Sequence, residues 1–130
     1  MDGNVAVRVV ELLASLEHGS EILLRKPLTR PMRPFEALVA SLATTLGHTP
    51  RAFVPEPGGR SKVYLRDVEM VGAADEVVAF FQDGDEMTGG TAHVVEKAID
   101  QRRPVRAYAL SGDQMRLIAE EDWAMEGGWM

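Results

Sequence analysis

The stretch 74-ADEVVAFFQDGDEMTGGTAHVVEKA-98, from Ala74 to Ala98, decides the fold. Its run Glu76–Phe81 is short and apolar, the composition of a strand covered on both sides. An acidic, glycine-bearing loop follows. Gly90 and Thr91 then open the segment Thr91–Asp100, in which Val95, Ala98 and Ile99 recur at helical spacing and predict an inward face. Strand, glycine loop and helix, in that order, are how a parallel α/β sheet presents backbone N–H groups to a phosphate. The same loop carries Asp83, Asp85 and Glu86, whose charge opposes an anion.

Outward from this stretch the alternation continues. Downstream, "PVRAYAL" (Pro104–Leu110) predicts another strand, and Asp113 can cap a last helix through Trp123 with Met115, Ile118 and Ala119 inward. Upstream, Tyr64, Leu65, Val68 and Val71 fit a helix over Ser61–Val71 that stops at Gly72. Before it come a strand at Arg51–Pro55 and a helix opened by Pro34, whose stripe is Phe35, Leu38, Val39, Leu42 and Leu46 and whose stop is Gly47. "EILLR" (Glu21–Arg25) reads as a strand, and the proline-rich "KPLTRPMRP" after it as irregular chain. Asn4 can cap a first helix with Val5, Val9, Leu12, Leu13 and Leu16 on one face, ended by Gly19. A strand over Val5–Val9 also fits the alternation there, but it breaks that stripe. Helices alternating with short apolar strands predict an α/β domain spanning residues 1–130, a three-layer sandwich around a short parallel sheet of about four strands.

Composition bounds the function. The chain has 130 residues, is 45% hydrophobic and 26% charged, and contains no cysteine, so disulfides and thiolate metal sites are excluded. His18, His48 and His93 form no metal-ligand pattern. A net charge of −6 opposes broad nucleic-acid binding, although Arg25, Lys26, Arg30 and Arg33 cluster within nine residues. That cluster is either a solvated loop or an anion-facing one. No apolar run spans a bilayer and no signal-peptide layout opens the chain, so a cytoplasmic protein without membrane contact is expected.

The second half resembles the SLOG superfamily, the Rossmann-like group that includes the Lonely Guy phosphoribohydrolases and the DNA-processing proteins. The series "RDVEMVGAADEVVAFFQDG…GGTAHVVEKA" places Arg66, Met70, Ala74, Asp75, Gly84, Gly90 and Thr91 in positions matching that family. The resemblance covers about Ala52 to Leu110. It implies a Rossmann-like fold, a nucleotide-type ligand near Arg66, Asp75, Gly84, Gly90 and Thr91, and dimers formed through helices. It also implies that the family's first strand is missing here, that its second glycine-rich turn is replaced by "RKPLTRPMRP", and that the strands run in the order 2-1-3-4. In Lonely Guy enzymes a catalytic glutamate stands three residues after the motif threonine. Here that position is Val94, and Glu96 lies about 200° around the helix from it. The resemblance therefore implies ligand binding without that hydrolysis.

Each candidate residue carries two readings. Thr91 either donates to a phosphate or caps its helix. Arg66 either meets a phosphate or carboxylate or pairs with Asp67, Glu69 or Asp75. Asp75 is expected to hold loop N–H groups. Asp83, Asp85 and Glu86 could take a divalent cation, but an ordinary solvated loop is the expectation, as a surface position is for His93. No metal or other cofactor is called for. The expectation is thus a small nucleotide-ligand binding or sensing protein, with two alternatives: a ligand-free protein–protein interaction module on the same fold, or a nucleoside-phosphate hydrolase, against which Val94 stands. The wide apolar stripe of the first helix, with Val7 and Val10 beside it, predicts a homodimer.

Overall fold

A computed structural model describes residues 3–82, 89–112 and 114–121, with side chains from Val5 onward. It is a mixed α/β structure of α1 (Gly3–Ala14), β1 (Glu21–Arg25), α2 (Pro34–Thr45), β2 (Thr49–Phe53), α3 (Arg60–Ala73), β3 (Val77–Gln82), α4 (Gly89–Asp100), β4 (Val105–Ser111) and β5 (Gln114–Glu121). The chain divides into two compact units, Met1–Arg66 and Asp67–Met130, with the division inside α3.

The first unit is a βαβ arrangement with α1 in front. Strands β1 and β2 pair in parallel, Glu21 opposite Thr49 and Arg25 opposite Phe53, and the Lys26 amide extends the ladder to the Phe53 carbonyl at 3.0 Å. Pro34 opens α2, where its missing N–H costs nothing, and Val39 and Ala43 are the buried members of its stripe. The chain leaves α2 through Gly47 at φ +85°, and the His48 amide bonds back to the Ala43 carbonyl at 2.9 Å. In α1, Val5, Val9 and Leu13 are buried, whereas Val7 is 55% exposed. The helix stops at Ala14, five residues before the glycine expected to end it.

His48, 6% exposed, locks this unit together. The Ser20 amide donates to its Nδ1 at 3.1 Å, so Nε2 must carry the proton and donate to the Leu13 carbonyl at 2.7 Å. One neutral imidazole thereby ties the end of α1 and the entry to β1 to the entry to β2.

In the second unit β3 and β4 pair in parallel, Val77 opposite Val105 and Gln82 opposite Leu110, with α4 as the crossover. Phe80 and Tyr108 stack across the pair, ring centres 5.7 Å apart. Ala79, Phe81, Val94, Val95, Ala98, Val105, Ala107 and Ala109 form the buried core.

Two expectations are corrected here. The last helix is instead strand β5, antiparallel to β4. Ser111 pairs with Gln114, which leaves only Gly112 and Asp113 between the strands, and Gly112 sits at φ +59°. A two-residue glycine-first connection is a hairpin turn, and that turn outweighs the weak helical spacing of Met115, Ile118 and Ala119. Ile118 is the extra residue of a bulge, since Ala107 faces Ala119 while Tyr108 faces Leu117. The second correction concerns the sheet. In place of one parallel sheet ordered 2-1-3-4, the described residues form a two-stranded sheet β1-β2 and a three-stranded sheet β3-β4-β5. The β1–β2 and β3–β4 pairs are parallel, as the alternation of strands and helices implied.

Candidate functional site

Helix α4 begins at Gly89, two residues earlier than its apolar spacing suggests. Gly89 holds φ +74°, a conformation that a side chain would strain. Gly90 is exposed and Thr91 half-buried in the first turn. Because β3 and β4 are parallel and α4 connects them, this turn stands at the carboxyl end of β3. The early start also moves Thr91 inside the helix. Thr91 is therefore not the cap, and the residue before Gly89 lies outside the described residues. Gly84, Asp83, Asp85 and Glu86 lie outside the described residues too.

Arg66 belongs to the first unit, whereas Gly90, Thr91 and Asp75 belong to the second. It is 9% exposed, and its Nη1 donates to the Lys26 carbonyl at 3.2 Å. The guanidinium therefore anchors the basic loop by its backbone, a role not among those expected for it. Asp75 is exposed and precedes β3, while α4 starts after it. Six residues of strand separate the two positions, roughly 20 Å. Asp75 and Thr91 thus occupy opposite ends of β3.

The neighbour of Arg66 is the residue that sequence reasoning underrated. Asp67 is fully buried, and its Oδ2 lies 3.1 Å from His93 Nδ1. His93 is accordingly not the surface residue expected: its side chain is 16% exposed and joins α4 to α3. His93 lies two residues past Thr91, about 200° around the helix, so the two side chains leave α4 on opposite flanks. The sequence did hold a signal. Asp67 stands three and four residues before Met70 and Val71, both buried, which puts a carboxylate on the inward face of α3. Tyr64, Leu65 and Val68, expected on that face, are instead exposed.

The rest of this end of α3 is held from the α4–β4 connection. Gln101 Nε2 donates to the Val68 carbonyl at 3.3 Å, and Arg103 reaches the Val71 and Gly72 carbonyls at 3.4 and 3.0 Å. A cation on the last carbonyls of a helix complements its dipole.

Val94, in the position of the phosphoribohydrolase glutamate, is a core residue at 6% exposed, and the Glu96 side chain is 67% exposed. Ile99, expected inward, is exposed. A hollow of about 80 Å³ opens between Glu76, Pro104, Arg106 and Glu121 at the amino end of β3 and β4. Small-molecule pockets run to about 300–1,000 Å³, so it is too small for a nucleotide. Among the described residues no group of three acidic, histidine or cysteine side chains is placed to hold a metal ion, and no helix is long and apolar enough to cross a membrane. No protein-family model, curated protein or solved structure matches the chain, so the functional reading rests on the residues themselves.

Proposed function

We propose that this chain is a small nucleotide-ligand binding or sensing protein on a divergent, Rossmann-like fold of SLOG type. The ligand's phosphate meets the first turn of α4 at Gly90 and Thr91. One observation carries the reading: a helix entered through a positive-φ glycine, with a threonine in its first turn, at the carboxyl end of a parallel strand pair. Exposed N–H groups and the positive helix end favour an anion there. The protein binds without hydrolysing, because a buried valine occupies the position of the phosphoribohydrolase carboxylate. Thermal-shift assays with nucleoside monophosphates, ADP-ribose and cyclic nucleotides test the proposal. Binding raises the melting temperature by mass action, and Thr91→Val removes the rise. A melting temperature unmoved by every member of that panel overturns it.

The second reading is a ligand-free interaction module, and a specific observation favours it. Arg66, the strongest anion-binding side chain expected beside the ligand, is spent on the Lys26 carbonyl. The homodimer belongs to either reading, but its surface moves. In α1 the residues Val5, Val9 and Leu13 are covered within the chain, while Tyr64, Leu65 and Val68 leave an exposed apolar strip along α3. Spaced i, i+1 and i+4, they span about 100° of the helix, and in this proposal they meet a second copy.

A further inference from the structure

The charges of the chain are segregated. Residues 25–66 contain eight Lys and Arg against two Glu, a net charge of +6, while the remaining residues sum to −12. Several cations of this segment fix the loop that follows β1. Arg25 pairs with Glu36 at 3.4 Å, and the Lys26 ammonium donates to the Pro27 and Arg30 carbonyls at 3.2 and 3.0 Å. Arg66 holds the Lys26 carbonyl from α3. Pro27, Pro31 and Pro34 restrict the same loop further.

Arg30 and Arg33 lie in this loop, and Arg60 is the first residue of α3. All three are exposed, and among the described residues none forms an ion pair. The same unit exposes two aliphatic side chains in the segments after β1 and β2. Leu28 is 42% and Val54 44% exposed, and the two strands they follow end in register at Arg25 and Phe53.

We propose that this end of the first unit docks an acidic, leucine-bearing segment of a partner polypeptide. The inference does not rest on the nucleotide reading, since none of its residues belongs to the α4 turn. Two exposed arginines on a pre-shaped loop, with Arg60 opening α3, supply electrostatic complementarity, and the shaped loop limits the ordering cost of binding. Leu28 and Val54 select a polypeptide over a simple anion, because an inorganic phosphate gains nothing from aliphatic contact. The net charge of −6 over the whole chain opposes an extended nucleic acid more than it opposes a short acidic segment.

Fluorescence anisotropy of the full chain with a labelled amphipathic glutamate–leucine peptide tests the proposal. The controls are the lysine–leucine counterpart and a single-stranded oligonucleotide of equal charge. The acidic peptide should bind and weaken with salt, and Arg30→Glu with Arg33→Glu should weaken it by about tenfold or more. Leu28→Ser should weaken binding while leaving the salt dependence unchanged. If the double variant melts early, Arg60→Glu serves as the second variant. Absence of peptide binding, an oligonucleotide bound as tightly, or charge-reversed variants that bind like the parent overturn the proposal. So does loss of dimer mass in light scattering on charge reversal, which would give the surface to a second copy.

Discussion

At the scale of single residues, two buried polar groups explain more of the structure than any exposed one. His48 uses both ring nitrogens, so His48→Ala should strand the Ser20 amide and the Leu13 carbonyl at once. The expected cost is about 2 kcal/mol, read as a lower urea midpoint with an unchanged slope. A midpoint within error of the parent would show that the ring fills space and nothing more. The Asp67–His93 pair predicts a coupling of about 0.5–3 kcal/mol in a double-mutant cycle with Asp67→Ala and His93→Ala. Additive costs would mean that the 3.1 Å contact carries no energy. Neither role was legible from residue type alone. A histidine reads the same in sequence whether it bridges two backbones or faces water. Asp67 revealed itself only through its phase relative to Met70 and Val71.

At the scale of elements, the strands and first four helices were legible because each is a short run bounded by glycine or proline. Pro34, Gly47 and Gly72 mark ends that fall within a residue or two of the observed ones. The C-terminal segment was not, because Met115, Ile118 and Ala119 satisfy helical spacing while the deciding residue is Gly112, outside the run. Gly112→Val should therefore destabilise the protein by about 1–2 kcal/mol, the cost of forcing a side chain into left-handed backbone. A neutral effect on the melting curve would argue for the helix after all. Hydrogen exchange offers an independent check. Strand β4 is paired on both sides and β5 on one, so β4 amides should exchange roughly tenfold or more slowly than those of β5. Equal rates in the two strands would contradict the hairpin.

At the scale of the whole molecule, the mixed α/β class was readable from the alternation of elements. The number of sheets was not. Strand order depends on pairings between distant segments, which no local spacing encodes. The candidate site was legible to a similar degree. The Gly-Gly-Thr entry to a helix is a local pattern, whereas the employment of Arg66 depends on a carbonyl forty positions away. Oligomeric state belongs to this scale too. Light scattering should give twice the 14.3 kDa chain mass, and Leu65→Glu should return the single-chain value. A parent protein already at the single-chain mass would remove α3 as an interface. Whether a nucleotide phosphate meets the first turn of α4 is decided by an amide NMR titration of the full chain with ADP-ribose. Saturable shifts should be greatest at Gly89, Gly90 and Thr91 and lost in Thr91→Val. Shifts centred on Leu28–Arg33, or none at any residue, would contradict a phosphate site at that turn.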